Sequence, residues 1–574
     1  MLPHKQIELK LQQAARSVLP DADVSIVLVR PCPDPKFGDY QSNALMSLAK
    51  TRKINPRQLA TDVLAKLDVS EICEKVEIAG AGFLNFRLKN SVLTQTLESA
   101  ARGEHLFFEK SDAPKTVVVD FSSPNVAKPM HVGHIRSTIL GDSLARTLRL
   151  LGHHVVTDNH IGDWGTQFGK LIAGWKQLLD QEALKRDPIG ELERLYRFVN
   201  SASEADPAIL EEAKSELVKL QNGDKENLKI WREMIALSQK QFDEIYSRLG
   251  VKFDFTLGES FYNPKLKPLV EELLAKNIAR ESEGAIAIFF EDNPQLKEHP
   301  ALIRKSDGGF NYTTTDLATL AYRLETWKPD EIIYVTDGRQ QLHFQQIFAA
   351  FQKWHSESKT KLAHVWFGSI LGEDGKPFKT RSGETVKLSD LLDEAEMRAL
   401  AIVDAKSPEL PETQRREIAR VVGIGAVKYA DLLPNRQSDY VFSWDKMLAL
   451  QGNTAPYLQY AYARIRSIFR KLGTSNIEHR TSNIELKAPE EITLAKHLLN
   501  FGLTLEAVAE EYRPNFMCNY LFELAGKFTS FYENCPVLKA EEAVRDSRLA
   551  LCNLTACVLK QGLDVLGIEV VEQM

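Results

Sequence analysis

Residues 116–158 read TVVVDFSSPNVAKPMHVGHIRSTILGDSLARTLRLLGHHVVTD, and their pattern sets the fold. Thr116 to Phe121 is a short apolar run of the kind buried in parallel sheets. A loop with two prolines follows. From His131 to Leu151 the apolar residues Ile135, Ile139, Leu140, Leu144, Leu148 and Leu151 share one broad helical face. Gly152 suits a helix stop, and His154 to Asp158 reads as the next strand. Strand, helix and strand in this order open a doubly wound nucleotide-binding sheet, which takes its ligands at the carboxyl ends of its strands.

Working outward, the same texture resumes at EIIYVT (331–336), a helical LHFQQIFAAFQKW (342–354) and a strand-like HVWFGS (364–369). Between the two halves lie a long, charge-rich helical stretch and then mixed strands and turns. We read residues 112–384 as one Rossmann-type catalytic domain with insertions near 170–248 and 258–310. Residues 1–111 read as a small α/β domain. It has strand-like VSIVLV (24–29) and FLNFRL (83–88), helical ALMSLAK (44–50) and RQLATDVLAKL (57–67), and a break near Ser111. Residues 385–574 are almost wholly helical in pattern. The expected fold class is thus multidomain α/β, with a doubly wound core, a helical C-terminal domain and a small α/β N-terminal domain.

Composition agrees with a chain of several soluble domains. Of 574 residues, 44% are hydrophobic and 26% charged, and no apolar run has the length of a membrane span. The N-terminal segment lacks a signal-peptide core. Six scattered cysteines form no CxxC pair, so neither a zinc site nor a disulfide framework is expected, and the cytoplasm is the expected compartment. A net charge of −6 argues against nucleic acid only if local basic surface is ignored. Arg464, Arg466, Arg470 and Lys471 make one such cluster, which fits a solvated helix face as well as an RNA contact.

The segment 121–137 joins a strand's carboxyl end to a helix start. Backbone N–H groups and the helix dipole favour phosphate there. His131 and His134, at i and i+3, share one side of the first turn. Their imidazoles are donors for phosphoryl oxygens as charge builds. Gly133 leaves room for a flat base near the backbone, and Lys128 adds a mobile cation. HxGH alone is a weak pattern, and its weight comes from the strand before it, the helix after it and the lysine.

HVGH resembles the HIGH signature of class I aminoacyl-tRNA synthetases. The longer string FSSPNVAKPMHVGHIRSTILGD (121–142), with HIGDWGTQFG (160–169), resembles the arginyl members of that class. Similarity continues through YTTTDLATLAYR (312–323), YVTDGRQQLHFQQIF (334–348), 439–466 and 546–574. The resemblance implies ligation of L-arginine to tRNA(Arg) through arginyl-adenylate, with ATP as substrate, Mg²⁺ arriving with ATP, no protein-bound zinc, and a monomer. The class KMSKS loop corresponds to KPFKTRSGET (376–385), where Thr380 replaces the second lysine. Lys379, Thr380 and Arg381 remain as phosphate ligands, and Lys128 is implied to compensate.

A guanidinium presents a rigid fork of donors that suits carboxylates. By the resemblance Asp316 accepts it with Tyr312, although Asp316 by itself reads equally as a helix N-cap. Ser123 and Asn125 are implied to hold the α-amino and carboxylate end, Gln340 to complete the pocket, and Asp120 to face the cation. His153, His154 and His160 read as structural or solvent-facing residues. Tyr457, Tyr460 and Arg464 stand at helical spacing, as core residues or as base-stacking and phosphate groups. Phe37, Tyr40, Gln41 and Asn43 mix aromatic and amide groups in a loop. The resemblance implies tRNA contact for both sets, at the elbow for the N-terminal one.

Two rival readings remain at this point. One is a different HxGH nucleotidylyltransferase or a synthetase for another amino acid. The other is a tRNA-binding regulator with an inactive core.

Overall fold

The computed structural model describes residues 1–378, 385–473 and 484–574. The chain forms two compact units. One comprises residues 112–449 and 565–568; the other comprises 1–111, 450–564 and 569–574.

The first unit is built on a five-stranded sheet. Its strands are β1 (Thr116–Asp120), β2 (His154–Asn159), β3 (Phe255–Thr256), β4 (Glu331–Tyr334) and β5 (Lys361–His364). The spatial order is β5-β4-β1-β2-β3, and every pairing is parallel. Helix α1 (Val132–Leu150) crosses from β1 to β2. The chain later returns to the other side of β1, so the topological switch point lies between β1 and β4, and a cleft is expected at their carboxyl ends. Val118, Ile332, Leu317, Leu320, Ile347 and Phe351 form part of the core on this side. The helices that bring them are α2 (Tyr312–Trp327) and α3 (Gln341–Trp354).

Gly141 explains how closely α1 lies on the sheet end. A Cβ there would come within 2.1 Å of the Phe121 ring, so only glycine admits that approach. The expected strand at 364–369 pairs three residues earlier. Beyond His364 the two segments remain hydrogen-bonded, with the Val365 N–H donating to the Tyr334 carbonyl at 2.8 Å and the Phe367 N–H to the Thr336 carbonyl at 3.3 Å, but only as an isolated bridge between Asp337 and Phe367.

The insertion at 167–249 is five helices, as its pattern suggests. The region 258–310 departs from the reading of strands and turns. It opens with a helix, Glu259–Ala275, that carries Pro264 and Pro268 inside it. Each proline removes a backbone donor, which is why the helix is hard to see in sequence. A three-stranded antiparallel sheet follows (Ala279–Ser282, Ala285–Ile288, Ala301–Arg304). Helices Leu388–Lys406 and Glu412–Leu432 also belong to this unit, although the sequence pattern groups them with the C-terminal helices.

The second unit joins the N-terminal residues to the last helices. A four-stranded antiparallel sheet orders Arg30–Pro31, Tyr40–Ser42, Phe83–Leu88 and Cys73–Ala79. Lys5 pairs with Glu506 at 3.0 Å and Lys496 with Asp39 at 2.7 Å, which ties the two parts of the chain together. The expected strand over 24–29 is absent. Val24, Val27 and Val29 are buried, but the Val29 N–H donates to Glu8 at 2.9 Å and the Val27 carbonyl accepts from Gln12 at 3.1 Å. Side chains of the first helix therefore satisfy groups that a neighbouring strand would otherwise take.

Candidate active site

The start of α1 fixes both signature histidines. The His131 Nδ1 accepts from the Gly133 N–H at 3.1 Å, and the His134 Nδ1 accepts from the His131 N–H at 3.1 Å. Together they form a capping box, with ring centroids 4.0 Å apart. Because each Nδ1 is an acceptor, each neutral ring carries its proton on Nε2, the donor left for a ligand. Burial, with help from His131, holds His134 down at about 3. Burial also lowers His131, followed by the charges of Arg339 and Lys128. Both are therefore neutral donors at physiological pH. The nearest neighbour of a Cβ on Gly133 would be the His131 ring at 2.9 Å, so glycine here serves the capping geometry directly.

Loop 122–130 enters this helix start with Ser122, Ser123 and Ala127 at positive φ, a conformation that costs energy without glycine. The surroundings hold it there. The Val126 N–H donates to the Gly162 carbonyl at 3.0 Å, and the Ala127 N–H to the Ser238 hydroxyl at 2.9 Å. Ser137 accepts from the Ser122 N–H at 2.8 Å and donates to the Val335 carbonyl at 2.6 Å, spanning the switch point. Ser123 donates to Asp120 at 3.2 Å. Asn125 is exposed, and its carbonyl oxygen lies where a Cβ on Gly162 would stand. Residues 386–388, just after the basic loop, are stitched to this entrance by Val132 N–H to Val386 (3.0 Å) and Leu388 N–H to Met130 (2.9 Å).

A second group of side chains is acidic. The Asp316 Oδ2 is 2.5 Å from the His343 Nε2, and the Tyr312 ring meets His343 edge-on at 4.8 Å. Asn311 is the cap of α2, so Asp316 sits one turn inside the helix and is free of capping duty. Glu259 opens its own helix because Asp163 accepts from both the Ser260 N–H (2.8 Å) and hydroxyl (2.6 Å). A Cβ on Gly258 would strike that carboxylate at 2.3 Å. Burial pushes Glu259 up to about 7. His160 opposes the rise, and the negative charges of Asp316 and Asp163 add to it. The charges of Asp316 and Asp163 thus both bear on Glu259.

Of the residues expected here, His131, His134, Lys128, Ser123 and Asn125 gather on the β1–α1 loop and helix start, and Tyr312 and Asp316 on the first turns of α2. Gln340 is exposed at the end of the loop after β4. Asp120 needs correction. It is buried, and its Oδ2 lies 2.6 Å from the fully buried Arg323, which also pairs with Asp158 at 2.7 Å. Its charge is turned to an internal cation and supports Ser123 from below. Lys379, Thr380 and Arg381 lie outside the described residues.

In the other unit Phe37 and Asn43 are exposed and Gln41 is half-buried. Tyr40 is 1% exposed, packed beside His4. Its side chain belongs to the core and is unavailable to RNA. Tyr460 is exposed, Tyr457 meets Phe522 edge-on, and Arg464 lies over the Tyr532 ring at 4.8 Å. Sequence reasoning missed His343 and Glu259. A histidine inside an amphipathic helix and a glutamate at an unrecognised helix start give no local signal.

Three family models match the chain: the arginyl-tRNA synthetase N-terminal domain over residues 5–88, the catalytic domain of class I tRNA synthetases (R) over 96–444, and the DALR anticodon binding domain over 458–574. The arginine–tRNA ligase of Hahella chejuensis is 47% identical over 557 residues, covering 96% of each chain. That of a Marinomonas species is 46% identical, covering 98% of each. Among solved structures, the arginyl-tRNA synthetase of Plasmodium falciparum is 31% identical with a TM-score of 0.82, covering 100% of this chain and 99% of its own. The Thermus thermophilus arginyl-tRNA synthetase is 26% identical with a TM-score of 0.84 and full coverage of both. Matched nearly end to end by these family models and by relatives of 47% and 46% identity, the chain belongs to the arginyl-tRNA synthetase family.

Proposed function

We propose that the cleft at the switch point between β1 and β4 activates arginine with ATP and passes it to tRNA(Arg). The family to which the chain belongs charges tRNA(Arg) with arginine, and this chain is such a ligase. In the first step an arginine carboxylate oxygen bonds to the α-phosphorus and pyrophosphate leaves. In the second, the terminal ribose hydroxyl of the tRNA bonds to the acyl carbon and AMP leaves. No covalent intermediate with the enzyme is needed, so positioning and electrostatic stabilisation carry the rate.

The observation that carries this reading is that residues 161–162 bond both the loop before the signature histidines (Val126 N–H to the Gly162 carbonyl, 3.0 Å) and the start of the Glu259 helix (Glu259 N–H to the Ile161 carbonyl, 3.1 Å). The Nε2–H groups of His131 and His134 donate to the phosphoryl oxygens, with Lys128 and, from the basic loop, Lys379, Thr380 and Arg381 as cations. Asp316 and Glu259 take the guanidinium, Tyr312 and Gln340 border it, and Ser123 and Asn125 hold the α-amino and carboxylate end. Lysine offers no planar fork and would leave these acceptors unpaired. Mg²⁺ would arrive with ATP as part of that substrate. Residues 1–111 contact the tRNA elbow through Phe37, Gln41 and Asn43, and the C-terminal helices contact the anticodon arm through Tyr457, Tyr460 and Arg464. The working form is a monomer in the cytoplasm. Among the described residues no helix is long and apolar enough to cross a membrane.

The test is aminoacylation of total tRNA with each amino acid in turn. Charging with arginine alone is expected. Equal charging with lysine would refute the pocket assignment.

A further inference from the structure

We propose that Tyr196 is a positioning residue for the Lys128 ammonium, holding it beside His131 for the triphosphate; this rests on the reading of Lys128 as a phosphate cation. The Lys128 Nζ lies over the Tyr196 ring, 5.2 Å from its centroid. Lys128 is exposed and, among the described residues, forms no ion pair. Its backbone needs no further ordering, since Val126 and Ala127 are already bonded to Gly162 and Ser238. What remains free is a four-carbon side chain with many rotamers, and a ring face selects among them without neutralising the charge. A carboxylate in that place would cancel the charge that a triphosphate must meet. The charge of Lys128 also bears on His131.

Tyr196 is itself firmly carried. It lies on the helix Pro188–Ala205, between buried Leu195 and the buried Leu192 and Val199. Gly174 of the neighbouring helix allows that face to pack closely; a Cβ there would stand 3.2 Å from Val199 and 3.3 Å from Leu195. The helix Lys225–Leu249, which supplies Ser238 to the loop, packs on the same helix. One insertion therefore fixes both the backbone of the Lys128 loop and the ring that orients its side chain.

The test combines kinetics with a direct view of the contact. In aminoacylation assays of the full chain, Tyr196→Phe keeps the ring and should stay within about twofold of wild type. Tyr196→Leu should lower kcat/KM for ATP by about threefold to thirtyfold, the span of cation–ring contacts from exposed to shielded, and leave the KM for arginine unchanged. Added to Lys128→Ala, it should cost nothing more. After reductive ¹³C-methylation, the Lys128 methyl resonance, assigned by its loss in Lys128→Arg, should lie upfield of the other lysines and return to their position in Tyr196→Leu. An unshifted resonance overturns the proposal. So does a wild-type kcat/KM in Tyr196→Leu beside an impaired Lys128→Ala. A wild-type value in Lys128→Ala overturns the Lys128 reading itself.

Discussion

The Nε2 of His343 lies 2.5 Å from the Oδ2 of Asp316, joining the first helix after the three-stranded sheet to the helix after β4. The contact aims the Asp316 carboxylate and leaves Oδ1 for an incoming donor. Asp316→Asn keeps the shape and removes the charge. The KM for arginine should rise about tenfold or more, in line with loss of a hydrogen bond to a charged group. His343→Gln, which retains a donor, should cost less than His343→Phe. If Asp316→Asn changes the arginine KM by less than twofold, Glu259 alone carries the selection.

Glu259 gives the pocket a pH dependence near neutrality. Its carboxyl is pushed up to about 7 by burial and by neighbouring carboxylates, so it is mostly protonated at pH 6 and mostly ionised at pH 8. The ionised form attracts arginine. The KM for arginine should therefore fall as pH rises from 6 to 8, and arginine binding should release a proton near neutral pH. Calorimetry in buffers of different ionisation enthalpy counts that proton. The same release from Glu259→Gln would exclude this group as its source.

His134 has the opposite behaviour. Held down at about 3, it is neutral throughout the working range and contributes no inflection between pH 5 and 8. His134→Ala should lower kcat by about tenfold to a thousandfold, as expected for one lost transition-state donor, with a smaller change in the KM for ATP. An unchanged kcat would remove it from the mechanism.

Gly141 tests the packing that sets the histidines' height above the sheet. Gly141→Ala places a methyl inside the Phe121 ring and should cost about 1–3 kcal/mol in urea unfolding, the range for overpacking a core. Phe121→Leu in the same chain should recover part of that loss. Strict additivity of the two would show that they do not share the strain.

Much of the catalytic unit was legible in the residues themselves. The run of valines from Val117 to Val119, the 3.6-residue apolar face of α1 and the next strand require a parallel crossover, because handedness and burial leave few alternatives. HVGH at its turn points to phosphate for the same local reason. The helix Glu259–Ala275 was illegible because its prolines break the local pattern, and only the surrounding core at Tyr262, Leu266 and Leu269 sustains it.

The sequence by itself determined the sheet, the strand-to-helix turn that carries HVGH and the family likeness, since these rest on periodicity and motif within short spans. Tertiary structure alone decided which charges are free. Asp120 and Asp316 are both carboxylates near strand ends or helix starts, yet Arg323, 203 residues from Asp120 in sequence, neutralises the first inside the core. The second stays at the pocket with His343. Burial and pairing are set by residues far apart along the chain, and the free energy of a charge depends on those neighbours more than on its own place in the sequence.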